Sequence, residues 1–475
     1  MAGAGAQKIV IVGGGFSGAA VAYHLAQSKQ LLDVTVIEPR ASLGAGLAYD
    51  TRDPAHRINV PSSKMSLLPD EADHFDKWII SSGALANDPD ARAKDGNLYP
   101  RRSVFGAYVD SHLAPLIENG RIKHVVARAA NIEHWNAGWR IHLASGGLID
   151  ADLVVIATSH PAPEVPAGIM SGLGGSRHLI TDATTPDALN RVETDAHVLI
   201  VGTGLTMADV VASLDHRGHR GLITAISRRG LLSRPHAATA AEPYGSFRDR
   251  TFTALGLLKH IRSTVADAEK SGIPWQAVFD AVRAQAQSFW PLMHISEQKK
   301  LVRHLRPFWD VHRFRIAPQA DEVLRRRAAA GTFKVVAGRI VDANVREDGA
   351  LVSYKRRTGG GIITRKFDTV VITTGPDHSH ILAEPQFRNL GSSGLISQDP
   401  LHLGIACDRS GRAISADGRS QPNLFIAGPL ARATFGELMG LPQVAEYSRQ
   451  IANEILARSS DQTHHISQPQ ERGAA

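Results

Sequence analysis

Short unbroken apolar runs alternate along the chain with longer stretches in which apolar residues recur every three or four positions. Ile9-Val10-Ile11-Val12, Val34-Thr35-Val36-Ile37, the run inside 151–158, Val198-Leu199-Ile200-Val201, Leu222-Ile223-Thr224-Ala225-Ile226 and the run inside 367–375 are short and rich in β-branched residues. They predict strands buried on both faces of a parallel sheet. The helical period predicts helices from about residue 17 and over 74–81, 103–118, 208–215 and 441–457. Strands alternating with helices in this order define an α/β chain.

The first run leads directly into Gly13-Gly14-Gly15-Phe16-Ser17-Gly18, a G-x-G-x-x-G turn. Gly13 permits the tight turn, Gly15 lets the backbone approach a pyrophosphate, and Gly18 lets the next helix pack against the strand. The first amides of that helix point at the phosphates. The second run ends in Glu38, about twenty residues past the last glycine, where a carboxylate accepts hydrogen bonds from a ribose that lacks a 2′-phosphate. That suits the adenosine of FAD. Residues 124–127, 138–143 and a Gly146-Gly147 turn then read as a meander returning into the 151–158 strand, which ends at Thr158.

From residue 197 the pattern repeats. A strand is followed by Gly202-Thr203-Gly204-Leu205-Thr206-Met207 and a helix, and the next strand ends in Ser227-Arg228-Arg229 instead of an acid. Residues 333–336, 350–354, a Gly359-Gly360-Gly361 turn and the strand ending at Thr374-Gly375 reproduce the meander. Two copies imply two dinucleotide sites. Arg228 and Arg229 would pair a 2′-phosphate, where a carboxylate would repel it, so NADPH is expected over NADH; an arginine pair on a solvated strand end is the alternative. A last strand over 423–429 reaches Gly428, a cofactor-binding candidate ahead of the last helix. The expected organisation is an FAD-binding domain in two parts, 1–165 and 376–460, around an NAD(P)-binding domain, 166–375, with a helical insertion at about 240–330 and a disordered polar tail at 461–475.

Two further stretches supply candidate chemistry. Residues 39–69 follow neither period, and a loop of that length is usually functional. His56, Arg57, Asn59, Lys64 and Met65 are its candidates for lining a cofactor, with a plain surface loop as the alternative. Lys64 and Asn59 are carried forward as catalytic candidates and Met65 as a cofactor contact. Arg101, just ahead of a helix, would meet a phosphate or merely water. The insertion reads as helices over 254–270, 275–287, 296–305 and 319–330, with Pro274, Pro291, Pro307 and Pro318 at breaks or first turns. Its Trp290, Trp309, His312, Arg313 and Arg315 suit a cap over a nicotinamide, with Arg313 a third catalytic candidate; core tryptophans beside solvated arginines are the alternative.

Composition narrows the function. A chain of 475 residues is expected to hold two or three domains. With 43% hydrophobic and 21% charged residues it has an ordinary soluble composition, and no apolar run approaches the ~18 residues of a membrane span. The first strand starts so near residue 1 that no signal segment is expected, and a cytoplasmic location is. Cys407 is the only cysteine, so no C-x-x-C pair exists and the disulfide-reductase branch is excluded. The 22 histidines form no metal-binding spacing. The net charge of +7 comes with basic clusters that lack aromatic interleaving, which fits solvated faces and attraction of anionic cofactors better than nucleic-acid binding.

GGGFSG, GAGLAYDTRDPAHRINVPSSKMSLLPD, VGTGLTMADV, AISRRGLLSRPH, LRPFWDVHRFRIAP and IAGPL, taken in this order, resemble the bacterial FAD/NAD(P)-binding proteins over nearly the whole chain. More distantly the layout is similar to the flavin-containing and N-hydroxylating monooxygenases. Of the short signature those enzymes carry before the second glycine turn, Gly174 and His178 remain, with Gly172 and Asp182 at its aromatic positions. The resemblance implies two Rossmann-like dinucleotide-binding domains, the two-dinucleotide-binding flavoprotein fold, with bound FAD and NADP(H). The expected function is an FAD-dependent, NADPH-using oxidoreductase, a single-component monooxygenase using dioxygen on a small nucleophilic amine or carbonyl substrate. An NAD(P)H-dependent reductase or oxidase, or a non-enzymatic redox sensor, stays open beside it.

Overall fold

The computed structural model describes residues 6–248 and 252–466. A six-stranded sheet takes the order Arg412–Ile414, Ser420–Ile426, Leu153–Ile156, Gln7–Val12, Leu32–Ile37, Ile122–Val125, parallel except at the first pair. A seven-stranded sheet takes the order Ile362–Phe367, Gly349–Arg356, Phe333–Arg346, Ile223–Ser227, Val198–Val201, Thr369–Ile372, Leu179–Ile180. This is the α/β fold of two dinucleotide-binding halves expected from the repeat.

The two halves match in register. Val12 pairs with Ile156 in the first sheet, and Val201 pairs with Ile372 in the second. Every residue of Val198–Val201, Thr369–Ile372 and Leu153–Ile156 is buried, as expected of strands in a sheet covered on both faces. Helix Phe16–Ala26 lies between its sheet and the long helix Leu441–Ile466, so Ala19, Ala20, Val21 and Ala22 are fully enclosed. Small side chains let these layers approach.

The halves diverge at the meander. In the first, strand Ile122–Val125 joins the main sheet and a separate three-stranded sheet follows. In the second, Phe333–Arg346 does both, pairing in parallel with Ile223–Ser227 at its start and antiparallel with Gly349–Arg356 beyond. The short run expected at 333–336 is therefore the start of a strand of 14 residues.

The insertion contributes helices Ala254–Lys270, Trp275–Phe289, Ile295–Lys300, Arg306–Arg313 and Pro318–Ala329. A π-helical turn, Leu301–Leu305, links the third to the fourth. Pro307 has no N–H and its ring would press on the carbonyl of Arg303, and the widened turn ahead of it absorbs that conflict without ending the helix. Among the described residues no helix is long and apolar enough to cross a membrane. The final helix is followed to Ile466; the rest of the expected tail lies outside the described residues.

Candidate functional site

The two glycine turns are built alike. Gly13 and Gly202 hold φ of +101° and +125°, a region L side chains avoid. Their N–H groups donate to Ile37 O and Ile226 O, each at 2.9 Å. A Cβ on Gly13 would stand 2.7 Å from the Ala157 carbonyl oxygen, and one on Gly202 would collide with the carbonyl of Thr373. Gly15 and Gly204 then begin helices Phe16–Ala26 and Leu205–His216 with no side chain capping the first amides. Nothing lies within 4 Å of the place a Cβ on Gly204 would take. Open amides at a helix N-terminus over a cradle without side chains fit a pyrophosphate. The buried Thr158 Oγ1, just past strand Leu153–Ile156, has no hydrogen-bond partner among the described residues, which also fits a polar ligand in the cleft.

The third glycine separates the copies. A Cβ on Gly18 would collide with the Gly13 carbonyl oxygen. At the corresponding place Met207 is buried in the core of the second half, so its helix is held by side-chain packing.

The strand ends define what each turn would read. Glu38 is 4% exposed; its carboxylate accepts the Gly14 N–H at 2.9 Å and the Arg40 guanidinium at 2.8 Å. In the second half Thr203 Oγ1 donates to Ser227 Oγ at 2.8 Å, and no acid stands there. Arg228 is exposed, and Arg229 is half-buried with its guanidinium 5.4 Å from the Phe308 ring.

One cavity of about 1770 Å³ runs from Gly13 and Glu38 past Thr158 to Gly202, Ser227, Arg229, Thr374 and Gly375. Both motifs thus face a single cleft, to which Arg40, Arg128, Arg303, Arg306 and Arg339 add positive charge. Near Gly13's helix the chain returns at Gly428, whose φ is +70° and whose missing Cβ makes room for the Ser17 hydroxyl.

The remaining candidates fall elsewhere. Arg57 is buried and donates to both oxygens of Asp88 at 2.6 Å, and the Arg101 N–H reaches the same carboxylate at 3.1 Å. Asn59 joins the two halves: its side-chain oxygen accepts the Ala317 N–H at 3.3 Å and its backbone oxygen meets His236 Nε2 at 2.9 Å. Met65 belongs to the first core. Phe16 packs with its ring 5.6 Å from that of Phe105. Lys64 is exposed and, like Asn59, Met65 and Arg101, lines neither this cleft nor the cavity of the insertion. His178 bonds through Nδ1 to Asp368 O at 2.8 Å, a contact between neighbouring strands.

Arg313 is buried in the insertion and paired through two hydrogen bonds with Glu437. Burial pulls its guanidinium below the ordinary range, and the adjoining carboxylate favours its charged form. Asp310, one turn earlier, has its carboxyl raised by burial, against the pull of Arg306, Arg313 and Arg432. Asp310 and Arg306 stand 3.4 Å apart and line both cavities. Asp310 sits inside the segment that the sequence marks as dense in charge, whereas Glu437 and Arg432 carry no local signal. Only the turn after Gly428 brings them beneath the insertion.

Fold and site together define a two-dinucleotide-binding flavoprotein. Residues 10–161 match the FAD-NAD(P)-binding family model. An ornithine N-hydroxylase of Kutzneria sp. 744, in a structure described by reduced FAD, NADP+ and L-ornithine, is 18% identical over 96% of this chain and 100% of its own, with a TM-score of 0.64. The reduced form of ornithine hydroxylase from Pseudomonas aeruginosa is 14% identical over 95% of this chain and 100% of its own, with a TM-score of 0.63. The thioredoxin reductase of Lactococcus lactis is 13% identical over 96% and 99%, at 0.51. No curated protein matches the sequence. These likenesses are likenesses of fold. They extend over the whole layout and agree with binding of FAD and NAD(P) in an oxidoreductase fold.

Proposed function

We propose that the protein is a single-component, NADPH-using flavin monooxygenase acting on a nucleophilic nitrogen or carbonyl carbon. One observation carries the reading: the cleft that joins the two glycine turns shares Val302, Arg306 and Asp310 with a largely apolar cavity in the insertion. Bound FAD and nicotinamide supply electron transfer and the activation of dioxygen. Glu38 receives the adenine ribose of FAD, and Gly13, Gly15 and the first amides of the following helix receive its pyrophosphate. Gly202, Gly204, Leu205 and Thr206 do the same for the second dinucleotide. Arg228 and Arg229 supply charge for a 2′-phosphate. Asp310, whose carboxyl is raised by burial, can hold a proton where the two cavities meet and exchange it with a substrate. The adjoining apolar walls keep water from the reacting atoms.

The cysteine chemistry of a disulfide reductase is missing. Cys407 is buried and burial pushes its thiol up to about 12, so it holds its proton at neutral pH.

The test is product analysis with isotope-labelled dioxygen. FAD-loaded protein, NADPH and a panel of amines and ketones should give at least one product carrying one labelled oxygen. NADPH consumption matched throughout by hydrogen peroxide, with no labelled product, would instead identify an oxidase.

A further inference from the structure

The insertion holds a cavity of about 1040 Å³ lined by helices Ala254–Lys270, Trp275–Phe289 and Arg306–Arg313 and by the π-helical turn Leu301–Leu305. This is at the upper end of the volumes that hold single organic ligands. Its body is apolar, with Leu257, Ile261, Val265, Val282 and Met439 in the wall. Four of its rings form one cluster: Phe279 stacks on Trp309 with centroids 5.5 Å apart and on His312 at 4.9 Å, and Trp275 stands edge-on to Phe279 at 5.4 Å. Trp290, also in the wall, donates through Nε1 to Ala433 O at 2.8 Å, which ties this chamber to the segment after Gly428.

The charges that meet the chamber are already answered within the protein. Arg234, Arg262 and Glu269 are exposed at its rim. Deeper in, Glu437 pairs with Arg313 and has the Arg283 guanidinium at 3.8 Å. Arg306 stands 3.4 Å from Asp310. Arg432 lies in the fields of Asp310 and Asp399 and has its Nη1 3.4 Å from Met439 Sδ. Each of these carboxyl groups has a guanidinium beside it, so a ligand ammonium would find no acid of its own. Each guanidinium likewise faces a carboxyl group built into the fold, with which a ligand carboxylate would have to compete. An ion entering the chamber would give up its water without gaining a new partner.

We infer that this chamber is a binding site for an uncharged, elongated ketone with an aliphatic or aromatic body, its carbonyl toward the junction at Val302, Arg306 and Asp310 and its body along Phe279 and Trp309. The choice of a carbonyl rests on the monooxygenase reading and deepens it; the lack of charge rests on the chamber alone. Of the nitrogen and carbonyl substrates that reading allows, an alkylamine carries an ammonium that titrates near lysine's value of about 10.4 and is protonated at neutral pH. A ketone enters with no charge to desolvate. A guanidinium that faces a carboxyl group can still donate to a neutral carbonyl oxygen, because it carries five N–H groups. Apolar burial supplies the affinity.

The experiment titrates FAD-loaded protein, without NADPH, by calorimetry at pH 8 with straight-chain ketones from 2-hexanone to 2-decanone and with primary amines and carboxylates of matching length. Affinity for ketones should tighten by about fourfold for each added methylene. Amines should bind on the order of a hundredfold more weakly, since only about one molecule in a few hundred is unprotonated at that pH, and carboxylates at least about as weakly. Val265→Trp, which fills part of the chamber from helix Ala254–Lys270, should shorten the longest ketone accepted at unchanged flavin content; should that variant not fold, Ile261→Phe should do the same. Affinity independent of chain length overturns the chamber. Amines or carboxylates that bind as tightly as ketones overturn its preference for an uncharged ligand. Ketone binding without labelled oxygen in any product would sink the monooxygenase reading and leave the binding site standing. Labelled product from a small amine, with no ketone bound, would do the reverse.

Discussion

Arg313 and Glu437 lie 124 residues apart in the chain and meet as a buried ion pair beneath the insertion. The pair ties the helix Arg306–Arg313 to the segment that follows Gly428, so the wall between cofactor cleft and chamber is fixed from both sides. Neither partner is more than 8% exposed, and each neutralises a charge that burial would otherwise penalise.

Removing one partner should therefore cost more than removing both. Glu437→Gln removes the hydrogen-bonded counter-charge of the buried Arg313 and is expected to destabilise by about 3–5 kcal/mol. Chemical denaturation checks this. The double variant Arg313→Met with Glu437→Leu should recover only part of the loss, because the apolar pair carries no desolvation penalty while Arg283, 3.8 Å from Glu437, still loses a counter-charge.

Gly18→Ala should abolish FAD retention. Its Cβ would collide with the Gly13 carbonyl oxygen, and the helix whose first amides face the pyrophosphate would have to shift. Flavin absorbance per protein after gel filtration reads the loss. Met207→Ala, at the corresponding place in the second half, should leave bound FAD unchanged.

Arg228→Ser with Arg229→Ser should raise the Kd for NADPH at least about tenfold, since charge-assisted hydrogen bonds contribute about 1.5–3 kcal/mol each. NADH binding should change little. Titration followed by nicotinamide fluorescence checks both, and an equal loss for the two nucleotides would contradict the assignment.

Acid should destabilise the fold across a defined window. Burial lowers His236 from 6.5 to about 4 and His24 from 6.5 to about 4. Both are neutral in the folded protein where the unfolded chain already binds protons. The stability they contribute is complete above pH 6.5 and is lost as pH falls toward 4. The denaturation midpoint should drop on acidification through that range, and His236→Asn should flatten the drop by its share.

Much of the fold is written locally. An apolar four-residue run, a glycine turn and a helix recur at residues 9–26 and 198–216, and the backbone of such a unit leaves few other ways to bury its strand. The same local logic marks Glu38 and Ser227-Arg228-Arg229, because a strand followed by a short turn presents its last residue at the sheet's edge. The Phe333–Arg346 strand is longer than its local pattern suggests, since its polar second half is stabilised by antiparallel pairing with distant residues.

The site beyond the glycine turns was decided by tertiary structure. Lys64, Asn59 and Arg313 share no local pattern that tells an exposed lysine from an interdomain hydrogen bond or a buried ion pair, yet the fold gives them these three fates. Asp310 acquires its raised carboxyl and its place between two cavities only when the insertion closes over Arg432 and Glu437. The sequence by itself determined two dinucleotide cradles, because hydrogen bonds and sterics within a few residues dictate them. Where the cradles meet and what lies beside them depends on contacts between residues more than a hundred positions apart, such as Arg313 with Glu437, and no local pattern encodes such a distance.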